Sequence, residues 1–133
     1  MEKSNFEKLE VYQLAVKIAD TVWNMVNGWK NFEKNSLGTQ LVSAADSIGA
    51  NIAEGYGRGS YQDNKQFVRS ARGSLNETKH WLKLSYQRQL IKEDSVKQLK
   101  PLMDELAPRL NAYLNSIGKQ NTKKDQQIST TDN

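Results

Sequence analysis

The chain has 133 residues, a formal charge of +4, a sequence pI near 9.3, one histidine and no cysteine. That length suits one domain with a single core, and the lack of cysteine excludes disulfides, thiolate metal sites and a cysteine nucleophile. No apolar run approaches the roughly 20 residues of a membrane span, and Met1 to Glu10 lacks the apolar stretch of a signal peptide, so a soluble cytoplasmic protein is expected.

Helix-period patterns fill most of the chain. The first predicted helix covers roughly 6–29. Tyr12, Val16, Ala19, Trp23 and Val26 form one stripe, and Val11, Leu14, Ile18, Val22, Met25 and Trp29 form a second beside it. A surface helix needs one apolar stripe. Two predict burial on more than one side, inside the bundle or against another subunit.

The second predicted helix covers roughly 36–56, with Ser36 or Asn35 as N-cap. Leu37, Leu41, Ala44, Ile48 and Ile52 form its apolar stripe, set among small residues that allow a neighbour close. Gly55, Gly57 and Gly59 are expected to stop it through a left-handed cap. The third helix runs from Ser60, read as a cap with Asp63, to about Gln89. Phe67, Val68, Ala71, Leu75, Thr78, Leu82 and Tyr86 are its apolar positions, with Trp81 beside them. Gly73, in mid-helix, either weakens it or allows a close crossing.

The fourth predicted helix spans roughly 93–117 on Val96, Leu99, Met103, Leu106, Leu110, Tyr113, Leu114 and Ile117. Pro101 and Pro108 each remove a helical hydrogen bond, which predicts a bent helix or a restart near Pro101. From Lys119 the chain is polar and is expected to be disordered. The predicted organisation is a domain over 1–118 and a tail over 119–133. Short connections between four long helices predict an all-α, antiparallel up-down four-helix bundle.

Charge is unevenly spread. Residues 58–88 carry seven bases (Arg58, Lys65, Arg69, Arg72, Lys79, Lys83 and Arg88) against two acids, while residues 31–57 carry one base against three acids. Lys65, Arg69, Arg72, Asn76, Lys79 and Lys83 recur at helical spacing, a ridge about 27 Å long at 1.5 Å per residue. Such a ridge can follow a phosphate backbone and release its counterions. The bland alternative is a solvated outer face, with some of these cations paired to Glu54 or Glu77.

Other site chemistry is sparse. The cluster from Gly55 to Ser60 lacks phosphate-loop spacing and follows a helix, not a strand. A weaker anion site survives there, from the start of the third helix plus Arg58. Glu77 and His80 give one Glu-x-x-His where a dimetal bundle needs two, so no metal is expected. Ser, Lys and carboxylates form no catalytic constellation, and neither enzyme activity nor a cofactor is expected. Trp23, Trp29 and Trp81 read as core or interface anchors. Asn51 with Glu54, and Ser74 with Glu77, share a three-residue spacing that predicts a polar layer between the second and third helices.

Two blocks carry a family resemblance: Asn51-Ile52-Ala53-Glu54-Gly55-Tyr56-Gly57-Arg58 and Gly73-Ser74-Leu75-Asn76-Glu77. With the looser opening Leu9-Glu10-Val11-Tyr12-Gln13-Leu14-Ala15, they resemble the four-helix bundle family encoded in intervening sequences of bacterial 23S rRNA genes. The resemblance covers about residues 6–118. It implies antiparallel bundles that associate as homopentamers around a central channel. A relative in fold, the accessory variability protein of diversity-generating retroelements, forms a positively charged pentameric barrel that binds nucleic acid and its reverse transcriptase. The implied reading is a non-enzymatic oligomeric module that binds RNA or DNA through Arg58, Lys65, Arg69, Arg72, Lys79 and Lys83. The alternative is a scaffold for a polymerase- or reverse-transcriptase-like protein. The implied partners are further copies of the chain, RNA or DNA, and a protein, with no membrane.

Overall fold

The computed structural model describes residues 5–119. The tail expected over 119–133 lies outside the described residues except for Lys119. Four long helices, and no strand, occur among them: α1 (Glu10–Asn27), α2 (Thr39–Tyr56), α3 (Tyr61–Gln87) and α4 (Glu93–Ser116). A 3-10 turn, Asn5–Lys8, precedes α1.

Helix α1 buries Val11, Ala15, Ile18, Val22 and Val26, one stripe at helical spacing. Most of the other predicted stripe stays at the margin. Tyr12, Val16 and Ala19 are half-buried, and Trp23 is 58% exposed. Within the chain α1 therefore has one buried face and one partly covered apolar flank.

The start of the second helix differs from expectation. Helical backbone begins at Asn31–Glu33, widens into a π-turn at Lys34–Gly38, and continues as α2. Ser36 is no cap: its Oγ donates to the Phe32 carbonyl at 2.6 Å. The extra residue of the π-turn lets Leu37 and Gly38 both face inward. A Cβ on Gly38 would stand 2.7 Å from Val26 Cγ1, so the end of α1 presses directly on this backbone. Thr39 Oγ1 donates to the Lys34 carbonyl at 3.2 Å, within the widened turn.

The helix end is also corrected. Gly55 lies inside α2, and the cap residue Gly57 has right-handed geometry with φ −82°. Gly55 is needed for space. A Cβ there would lie 2.7 Å from Asn64 Oδ1 and 2.8 Å from Phe67 Cβ, at the crossing onto α3.

The Ser60 cap is as expected, its Oγ accepting from the Asp63 N–H at 3.1 Å. Helix α3 buries Val68, Ala71, Leu75, Thr78, Leu82 and Ser85. The two buried hydroxyls donate to carbonyls one turn back, Thr78 to Ser74 and Ser85 to Trp81, each at 2.7 Å. Gly73 faces outward with open space around it, so it makes no close crossing. Tyr86, expected in the stripe, is 49% exposed and its hydroxyl donates to Glu93 at 2.9 Å.

Helix α3 ends in a paired reverse turn: the Leu90 N–H reaches the Ser85 carbonyl and the Gln89 N–H reaches that of Tyr86. Gln89 occupies the left-handed position, at φ 62°. Helix α4 then runs through Pro101 and Pro108 without a restart. Both prolines are exposed, so the carbonyls they leave unpaired face water rather than the core.

The core draws Ile18, Leu41, Ile48, Leu75, Leu106 and Leu110 from all four helices. Helix α2 packs most extensively, on α3 and then on α1, while α4 fits mainly against α1 and touches α3 less. The α3–α4 seam is therefore the loosest around the core.

Candidate nucleic-acid interface

The buried stripe of α3 falls at 68, 71, 75, 78 and 82, and the predicted ridge at 69, 72, 76, 79 and 83. One residue is about 100° of helix, so the ridge flanks the core instead of lying opposite it. It follows the α3–α4 seam. Lys65 and Arg69 line a cleft with Ile117, Gly118 and Lys119. In the middle, Arg72 Nη1 donates to Asn111 Oδ1 of α4 at 3.0 Å. Lys79 and Lys83 then line a groove of about 340 Å³ with Leu82, Ile91, Leu99 and Met103.

Among the described residues no carboxylate comes within ion-pair distance of Lys65, Arg69, Arg72, Lys79 or Lys83. Helix α4 adds Lys100 to the groove rim, although Lys100 pairs with Asp104 at 2.7 Å. Sequence reasoning missed Asn111, Lys100 and Lys119. The periodicity of α4 carries no sign of which face meets α3, and Lys119, beyond its end, reads as part of the tail.

Arg58 stands apart. Its guanidinium pairs with Glu54 at 3.5 Å and lies 4.7 Å above the centroid of Phe67, which holds it against the α2–α3 turn. At the place where an anion site was expected from Arg58 and the start of α3, the arginine is engaged by Glu54 of α2 and Phe67 of α3.

The expected polar layer is reduced to one contact. Asn51 Nδ2 donates to the Ser47 carbonyl at 2.9 Å and reaches Ser74 Oγ on α3 at 3.4 Å. Glu54 is taken by Arg58, and Glu77 accepts from Trp81 Nε1 at 3.2 Å. The His80 ring meets Trp81 edge-on at 4.8 Å. Among the described residues no three His, Cys, Asp or Glu side chains gather as metal ligands, and no helix is long and apolar enough to cross a membrane.

Asp46 on α2 has its carboxyl pushed above the usual range, first by burial and then by the charge of Asp20 on α1. Trp23, Lys34 and Val42 line a further cleft of about 340 Å³ between α1 and the start of α2.

No curated protein matches the chain. Among solved structures, it resembles a protein of unknown function from the S23 ribosomal protein family of Bacteroides thetaiotaomicron. The two share 23% identity over 78% of this chain and 97% of the other, with a TM-score of 0.69, a likeness of fold. The sequence also matches the family of 23S rRNA-intervening sequence proteins over residues 7–112. Fold and sequence agree, and the chain belongs to the 23S rRNA-intervening sequence protein family.

Proposed function

We propose that this protein is a non-enzymatic, oligomeric module that binds nucleic acid, RNA in the first instance, along the α3–α4 seam. The observation that carries this is the row Lys65, Arg69, Arg72, Lys79 and Lys83 beside a second helix, with no carboxylate paired to any of the five among the described residues. Unpaired cations on one line suit phosphate contacts, which give affinity with little sequence preference. Arg58, tied to Glu54, has a smaller part. Binding of a single-stranded RNA to the purified protein across a salt series is the test. Reversal of Arg69, Arg72 and Lys79 to Glu is expected to lower affinity and flatten the salt slope by about 2–3 counterions. An unchanged slope would sink the proposal.

We further infer an up-down bundle that assembles as a ring of five. Helix α2 contacts α1 and α3, α4 contacts α1 and α3, and the end of α2 lies on the start of α3, all of which suit that topology. The exposed Trp23, with Val16, Ala19 and Val42 half-buried nearby, suits a contact between copies. Mass in solution tests this: a pentamer is expected for the native chain and a smaller species for Trp23→Glu.

A second reading, a scaffold for a polymerase- or reverse-transcriptase-like protein, draws on the apolar floor of the seam groove, Leu82, Ile91, Leu99 and Met103. Capture of such a partner after nuclease treatment would favour it.

A further inference from the structure

The start of α3 and the residues after α4 meet across a cleft of about 430 Å³, within the range of small-molecule sites, about 300–1,000 Å³. Tyr61, Gln62, Lys65, Arg69, Ile117 and Lys119 line it. Ile117 is buried at 7% exposure and gives an apolar base. Three cations from two separate segments converge there, and among the described residues no carboxylate lines it.

The backbone builds this convergence. Gly118 has φ +86°, and a Cβ on it would stand 3.7 Å from the Tyr61 ring. The chain therefore turns sharply against that ring and places Lys119 opposite Lys65 and Arg69. Tyr61 is covered on this side but remains 48% exposed. The cleft thus offers an aromatic face, half supported and half open, beside a triad of positive charge. It also bounds the ridge, since the 117–119 segment crosses beside Lys65 and Arg69.

We infer that this cleft binds a terminal nucleotide, with the base on Tyr61 and the terminal phosphomonoester on Lys65, Arg69 and Lys119. A terminal phosphate carries about −1.5 to −2 charge at pH 7, against −1 for a backbone diester, and so suits three cations better. Aromatic stacking is tolerant of base identity, and the lining supplies little for reading one base against another. The extension to a strand end rests on the ridge reading; occupancy by a single nucleotide does not.

Calorimetric titration of adenosine 5′-monophosphate, adenosine and inorganic phosphate into the full chain tests the cleft apart from the ridge. The monophosphate is expected to bind about tenfold or more tighter than either fragment, because each fragment keeps only half of the contacts. Tyr61→Ala and Lys119→Gln, both off the ridge, are each expected to weaken it by about fivefold or more. The Arg72→Gln/Lys79→Gln double variant should leave it unchanged. No binding of the monophosphate, or binding indifferent to Tyr61→Ala and Lys119→Gln, would overturn the inference. A parallel comparison uses one RNA with and without a terminal phosphate. A preference lost in Lys119→Gln supports the strand-end form, and equal binding overturns it while leaving the ridge standing. Failure of both RNAs to bind, with the monophosphate still bound, overturns the ridge and the strand-end form but keeps the nucleotide site.

Discussion

Gly55 on α2 and Phe67 on α3 meet with no room for a methyl group: a Cβ on Gly55 would fall 2.8 Å from the Cβ of Phe67. Asn64 closes the other side, its Oδ1 2.7 Å and its carbonyl 3.0 Å from the same point. Gly55→Ala must therefore push α3 away from α2, and overpacking of this kind costs about 1–3 kcal/mol. Chemical denaturation should show that loss. A variant as stable as the parent would mean that the crossing is looser than described.

The opposite result is expected at Gly73. Nothing lies within 4 Å of its missing Cβ, and the residue is exposed within α3. Alanine removes the entropic cost of glycine there, so Gly73→Ala should stabilise by about 0.5–1 kcal/mol. The thermal midpoint reports this directly. A fall instead would expose a packing role for that face, against a second copy for example.

Gln89 holds the left-handed position of the turn that ends α3, at φ 62°. An L-residue there carries about 1–2 kcal/mol of strain, part of which glycine relieves. Gln89→Gly should raise the denaturation midpoint with its slope unchanged, since the turn's two bonds are made by backbone N–H groups that glycine keeps.

Asp46 predicts a pH effect. Its folded carboxyl titrates above the ordinary value of 3.8, through burial and then through Asp20. The folded state then holds the proton more tightly than the unfolded chain, so stability is full below 3.8 and falls as pH rises through the folded value. Asp46→Asn should accordingly raise the urea midpoint at neutral pH and give no gain at about pH 3. An equal gain at both would assign the effect to packing rather than charge.

Helix existence and type were legible in the residues because the apolar period is a local property. The stripes of α2, α3 and α4, and the Ser60 cap, could be read directly. The errors fall where neighbours decide. Ser36 has the chemistry of a cap, but the helix already begins at Asn31 and passes Ser36 inside a π-turn that sets Gly38 tightly against Val26. Gly55 looks like a stop signal and is instead a contact surface. Pro101 and Pro108 threatened the helix, yet both face water.

The basic spacing on α3 was likewise visible, because a step of three and four residues defines one helical face wherever the helix lies. The sequence by itself determined that the cations align, that acids are absent from that line and that four amphipathic helices exist to carry it. Only the tertiary structure decided what the line runs beside. It set the ridge against α4, joined Arg72 to Asn111, turned Arg58 away to Glu54, and brought Lys119 across Gly118 to Lys65 and Arg69. Local periodicity orders residues around one helix axis. Which faces meet depends on packing between residues far apart in the chain, and no single segment encodes that.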